Sequence, residues 1–335
     1  MPPGTWSNRW SGPPKARPPT PSIPFPSTTA SRRPFPAGAC LRGRAEDDAM
    51  ADILLPSLAD GLLLGFVYGI AAMGLSLIWG VMNVINLSHG PIIALGMFGV
   101  YLSFTHLGLN PYLALILVAA GGLLLGILIY AVAVHRVLNA PHLSTLLATF
   151  SVNMIIIGIG TAAFTVTPYN VDFTLGGVEL GPFRVLWTRV AAALAALLVT
   201  GLLYLFLYRS RAGKYIRAVA NNRAAAELMG IPSARILALS FGLGTMLASI
   251  SGGLIATFFP FNILSGGGYE LRSFVIVVLG GLGNPFGSLI GGLILGMLEA
   301  VIPVFMETSW VPVLEFVLFV LLLLVRPSGL LGRRA

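Results

Sequence analysis

Two clusters of small and polar residues interrupt long apolar runs, and they are where this chain could act on a solute. Asn83, Asn86, Ser88 and His89 stand ahead of Gly90, and Gly280, Gly281, Gly283 and Asn284 stand ahead of Pro285. Glycine favours turns, proline lacks a donor, and the residue before a proline leaves the α region, so the second cluster breaks a helix. Inside lipid, backbone groups freed by such a break are tolerated only against protein or a water-filled path. Paired interruptions in two halves of a chain therefore point to a transport site. Half-helix ends there would offer N–H and C=O groups to a small polar or amphoteric solute. Each cluster also has a plainer reading. A loop at the membrane surface is satisfied by water, and Asn, Ser and His also hold helices together without touching solute. His89 taken alone reads first as a packed histidine. Ser88 and His89 are adjacent, point different ways on a helix, and make no nucleophile–base pair.

Other chemistry is missing from the sequence. The one Gly-Lys pair, Gly213-Lys214, is followed by tyrosine and opens no phosphate-binding loop. There is no H-E-x-x-H, and four histidines with the single Cys40 offer neither a metal cluster nor an intrachain disulfide. The aspartates of the body, Asp52, Asp60 and Asp172, fall near span ends or in loops. No catalytic residue, metal or cofactor is expected, so the chain is not expected to be an enzyme. Glu299 and Glu315 lie in apolar runs, where ionisable groups are expensive. Both fall near a run's end, and neither has a clear basic partner, so a proton relay has little support.

A basic island at 209–232 carries Arg209, Arg211, Lys214, Arg217 and Arg223 against one acid, Glu227. The stretch Gly213 to Gly230 reads as one alanine-rich helix ended by Gly230 and Pro232, with Arg223 and Glu227 spaced to pair. Leu228 and Met229 would be its apolar anchors in a partner's groove. The plainer alternative is a linker whose charges only set topology.

The elements that must position these residues are membrane helices. The chain is 56% hydrophobic and 10% charged, where a soluble domain carries about 25% charge. Its net charge of +8 does not point to nucleic acid, because seven of the 20 Lys+Arg lie in 1–49 and most others flank apolar runs. Residues 1–49 are Pro- and Arg-rich with no apolar run and are expected to be disordered. They form no secretory signal, and Met50, followed at once by the hydrophobic body, reads as the true start with 1–49 a mis-assigned extension, the alternative being a real basic tail. Residues 50–335 are expected to be one transmembrane permease domain, all-α and polytopic, with about eight segments. These are 57–80, 91–107, 111–134, 143–164, 186–208, 233–262, 273–303 and 311–326, with broken or re-entrant helices near 81–90 and 280–287. The basic 209–232 loop should be cytoplasmic, which puts 135–142 on the same side and 165–185 and 263–271 outside. A cytoplasmic C-terminal tail then requires 273–303 to enter and return. The glycine pairs Gly121-Gly122, Gly252-Gly253 and Gly291-Gly292, and Gly292-x-x-x-Gly296, read as close helix packing.

Four stretches together resemble the LivH-type permeases of branched-chain amino-acid ABC importers. They are Gly69-Ile70-Ala71-Ala72-Met73-Gly74-Leu75 leading to Ile85-Asn86-Leu87-Ser88-His89-Gly90; the 209–232 loop with Gly213, Ala218-x-Ala220 and Ala224 to Ile231; Val278 to Gly283 with Gly287; and the ending Arg326 to Gly332. The resemblance covers about residues 51–333; residues 1–49 have no counterpart, and Ser88 and Pro91 depart from the family's pattern around the His-Gly pair. It implies a helical bacterial inner-membrane permease that pairs with a second, related permease and two cytoplasmic ATPase subunits. A periplasmic solute-binding protein would feed it. ATPase coupling would then fall to Gly213, Ala220, Ala226, Glu227, Gly230 and Ile231, and solute passage to the two polar clusters. The solute stays open among branched-chain and other amino acids, urea and short amides. The rival is a self-sufficient secondary transporter or channel, which would need coupling charges within its spans.

Overall fold

The computed structural model describes residues 39–180, 183–326 and 329–331. The sequence reading of 1–38 as disordered lies outside the described residues; the first helix, α1 (Ala39–Met82), begins ahead of Met50. The chain divides into two units at Arg44, and the architecture below is that of Ala45–Ala335. Among the described residues, eight helices are long and apolar enough to cross a membrane, the first being Ile53–Met82 of α1.

The helices following α1 are α2 (His89–Leu107) and α3 (Pro111–Ile129), and α3 continues through a π turn, Tyr130–Val134, into the short α4 (His135–Val137). Then come α5 (His142–Phe164), α6 (Trp187–Arg209), α7 (Arg211–Asn221), α8 (Arg223–Leu228), α9 (Ser233–Ile255), α10 (Ser265–Gly280), α11 (Pro285–Phe305) and α12 (Val311–Val325). The 165–185 loop is not wholly irregular. Strands β1 (Gly177–Leu180) and β2 (Phe183–Leu186) pair antiparallel in it, a small exception to the all-α expectation.

Helices α2 and α9 form the centre, and their glycines decide how closely they approach. A Cβ on Gly96 would run into the Ser249 carbonyl, and one on Gly252 into the Ile93 carbonyl. With little hydrophobic force between helices in lipid, such close backbone approach supplies the packing energy. Gly292 and Gly296 play the part read from the sequence, lying against Gly61, Gly65 and Gly69 of α1.

One expected span is corrected and another is found broken where expected. The run 233–262 stops at Ile255, and 273–303 is two helices, α10 and α11, joined by a turn at 281–284. Helix α10 has 16 residues, about 24 Å, too short for a hydrocarbon core of about 30 Å. It starts inside the bundle, where Gly266 meets the backbone of Gly90. The segment does enter and return, with its turn at the expected motif.

Candidate transport and docking sites

One end of the bundle gathers the elements that the sequence singled out. Gly80 near the end of α1 touches Gly283 of the 281–284 turn, and a cavity of about 450 Å³ there is walled by Leu77, Gly80, Arg217, Ala220, Asn284 and Leu331 among others. The ends of α1 and α6, helix α7, the α10–α11 turn and the C-terminal segment therefore meet at this end. At the other end, Arg189 is paired with Asp60 at 2.7 Å.

The first polar cluster is an elbow that climbs back into the bundle. Asn83, with φ 52, turns the chain at the end of α1 and lines a surface groove with Trp79 and His142. Further along, the Ile85 carbonyl accepts from Thr149 Oγ1 at 3.1 Å. His89 then opens α2 with Nε2 3.0 Å from the Ala71 carbonyl oxygen. Ala71 is eleven residues before Met82, about 16 Å along α1, so α2 begins deep within the bundle. Asn86 Oδ1 accepts from the Ser88 N–H at 3.1 Å and from Ser88 Oγ at 2.6 Å. Asn86, Ser88 and His89 are all fully buried. In this conformation they hold the elbow, as the plainer reading has it. Asn86 Nδ2 and His89 Nδ1 are buried without a hydrogen-bond partner among the described residues. With Nε2 donating to a carbonyl, Nδ1 of the neutral ring is an acceptor, so the elbow leaves one donor and one acceptor unmet, each of them costly to bury. The half-helix end expected to face solute is occupied, because Glu270 Oε2 lies 2.6 Å from where a Cβ on Gly90 would be. A carboxylate from α10 thus sits at the positive end of α2.

The second cluster is a tight helix–turn–helix. Gly281 and Gly283 have φ of 103° and 78°, open to glycine at little cost. Asn284 caps α11 by accepting from the Gly287 N–H at 3.2 Å, while its Nδ2 donates to the Leu331 carbonyl at 3.2 Å. Gly280 lies backbone to backbone on Gly287, which leaves no room for side chains. The Leu330 N–H, bonded to the Leu279 carbonyl at 2.9 Å, closes the end of α10. This turn is at the α7 end of the bundle, away from the depth of His89.

The expectation that Glu299 and Glu315 lack a basic partner is corrected. Arg272 Nη2 is 2.9 Å from Glu299 Oε1, and Arg272 Nε is 3.5 Å from Glu315 Oε1. Tyr68 Oη is 3.3 Å from Glu299 Oε1, and the Arg272 guanidinium lies over the rings of Tyr68 and Tyr269 at 5.6 and 5.5 Å. One arginine on α10 therefore ties together α1, α11 and α12. Sequence reasoning missed it by ending the outer loop at 271 and starting the apolar run at 273, which left Arg272 assigned to neither. The signal was available: two carboxylates inside lipid require a cation nearby.

The basic island is two helices rather than one. Asn222 is extended, with φ −157° and ψ 103°, and its side chain caps α8 by accepting from the Ala225 N–H at 3.0 Å. Asparagine competes with helix in this way and is a preferred N-cap, which is why the alanine run does not continue upstream. Helix α7 buries Gly213, Ile216 and Val219, and a Cβ on Gly213 would strike the Phe206 and Leu207 carbonyls. Helix α8 ends at Leu228, and two residues on Gly230 turns the chain with φ 79°; its N–H bonds to the Glu227 carbonyl, while the Ile231 N–H bonds to that of Ala226. Arg223 and Glu227 pair at 3.0 Å, and Ser233 Oγ also donates to Glu227, so both hold this carboxyl below its ordinary value, the serine most. Ala226 is buried and Ala220 exposed, whereas Leu228 and Met229 are 90% and 82% exposed at the tip. The alanine-rich side thus splits, and only part of it faces outward.

A many-helix apolar bundle with buried polar elbows is a multi-pass membrane protein, and its sequence relatives narrow the class. Residues 57–325 match the family model described as the branched-chain amino acid transport system / permease component. The chain is 30% identical over 299 residues to the high-affinity branched-chain amino acid transport system permease protein LivH of Salmonella typhimurium, covering 83% of this chain and 96% of that one. It is 28% identical over 298 residues to the corresponding BraD protein of Pseudomonas aeruginosa, with the same coverage. The ribose import permease protein RbsC of Escherichia coli is 31% identical over 244 residues, 70% of this chain and 73% of that one. The chain belongs to the branched-chain amino acid permease family.

Proposed function

We propose that this chain is the membrane-spanning subunit of an ATP-driven importer for branched-chain amino acids, with α7 and α8 in the cytoplasm of a bacterial cell. Family membership supports the transport class, and the likeness to a ribose permease keeps the solute as part of the proposal. Arg209, Arg211, Lys214, Arg217 and Arg223 at the α7–α8 end support the orientation by the positive-inside rule.

The observation that carries the docking role is the exposure of Leu228 and Met229 on a short loop firmly joined to the core. Two large apolar side chains standing in water at a charged surface have the form of anchors for a partner's groove. Behind them, Gly213, Ile216 and Val219 press α7 onto the bundle. Beside α7 lies the cavity shared with Gly283 and Asn284. Movement imposed on α8 by an ATPase subunit would reach the 281–284 turn and α10, whose Glu270 sits against the α2 elbow. In this reading Ala220, Ala226, Glu227, Gly230 and Ile231 shape the docking loop. Asn83, Asn86, Ser88, His89 and the 280–284 residues belong to the parts that shift as the path opens.

The Arg272 cluster is the kind of intramembrane charge that a gradient-driven transporter would use. Here the arginine is engaged by carboxylates from two other helices, an arrangement suited to holding them together, and the family is one of permease components. The test is co-purification of the chain with its ATPase subunits after Leu228→Asp and Met229→Asp. Loss of about 2 kcal/mol or more per anchor is expected, with membrane insertion unchanged. Undiminished association would remove the docking role.

A further inference from the structure

A groove of about 960 Å³ opens between α3, α6 and α9 and reaches the central helix, with Leu243 and Leu247 of α9 among its walls. Its polar side chains are Tyr112, Arg209 and Ser210. Two of these are already satisfied. Tyr112 Oη donates to the Thr188 carbonyl at 2.8 Å, and Ser210 Oγ donates to the Phe206 carbonyl at 2.6 Å while accepting from the Gly213 N–H at 2.9 Å. Arg209 is exposed and, among the described residues, makes no hydrogen bond or ion pair. The groove is therefore an apolar slot with one cation at its α7–α8 end.

We infer that this groove is a binding site for one anionic glycerophospholipid, its acyl chains against α9 and its phosphate on Arg209. From Ala195 to Arg209 is fourteen residues, about 21 Å along α6, the reach of one leaflet with its headgroup boundary. Flexible acyl chains fit an irregular slot and restore the dispersion contacts that its walls otherwise lack. The slot alone would not choose among lipids, because acyl chains gain nothing hydrophobic by leaving other chains. The choice falls to the headgroup, and a guanidinium matches a phosphate in charge and in hydrogen-bond geometry.

The test is native mass spectrometry of the assembled complex, extracted mildly and equilibrated with equal phosphatidylglycerol and phosphatidylcholine. The wild type is expected to keep one lipid per copy of this chain, preferring phosphatidylglycerol roughly fivefold, as one basic contact near an anionic headgroup gives. Arg209→Gln should abolish the preference, and Ala195→Trp, filling the slot, should remove the lipid itself. An unchanged preference in Arg209→Gln, or an unchanged lipid count in Ala195→Trp, would overturn the assignment. So would release of the bound mass by millimolar inorganic phosphate, or capture of a neighbouring permease subunit by a photocrosslinker at position 195.

Discussion

Replacing Arg272 by methionine should cost more stability than any other single charge deletion in the body. The guanidinium is 2.9 Å from one carboxylate and 3.5 Å from another, and the Glu315 side chain is only 6% exposed. At an effective dielectric constant of about 20, the two attractions are about 6 and about 5 kcal/mol. Taking three charged groups out of water costs several kcal/mol each, so the cluster as a whole is close to neutral in its net effect. Removing the one cation is different, because Glu299 and Glu315 are then left facing each other with no compensation. Breaking a buried pair in this way costs about 3–5 kcal/mol. The assay is reversible unfolding of the purified chain in mixed micelles, as a cycle with Glu299→Gln and Glu315→Gln. Arg272→Met should lose about 3–5 kcal/mol, and adding both glutamine changes should recover most of it. A loss under about 0.5 kcal/mol, the range of ordinary surface changes, would refute the idea that Arg272 ties α10, α11 and α12 together. So would a triple variant no better than the single one.

Two further outcomes follow from local geometry. Gly252→Ala places a methyl group against the Ile93 carbonyl, so it should destabilise the α2–α9 contact by about 1–3 kcal/mol in the same assay; a neutral result would show that the helices can part. The Glu227 carboxyl is held low by Ser233 and Arg223, so its bonds support α8 at neutral pH and are lost only as pH falls below the ordinary carboxylate range. Ser233→Ala should move the loss of amide-exchange protection at Gly230 and Ile231 to higher pH, and an unmoved midpoint would discount the serine.

Much of this architecture is written in hydropathy, because lipid demands long apolar helices and the chain has little else. Span ends were legible wherever Gly or Pro punctuates, as at Pro111, Pro285 and the 281–284 turn. The Arg223–Glu227 pair was legible from spacing. What escaped was set by partners distant in sequence. Arg272 falls between the 263–271 loop and the 273–303 span and has no role until α11 and α12 bring Glu299 and Glu315 to it. His89 reads as a packed histidine, but which group it packs on, the Ala71 carbonyl of α1, no local pattern shows. The break at Asn222 was hidden because its alanine neighbours argue for continuous helix, and one cap outweighed them. The depth at which α2 and α10 begin follows from Gly90 meeting Gly266, which no local pattern reveals.

The central claim is that this chain moves solute only when an ATPase grips α8. Its direct test is uptake of radiolabelled leucine into vesicles holding this chain with a related permease subunit, two ATPase subunits and a binding protein, compared with vesicles holding this chain alone. The account predicts uptake that requires ATP and all partners and that falls to background with Leu228→Asp and Met229→Asp together. Leucine uptake by the chain alone, without ATP, would contradict it.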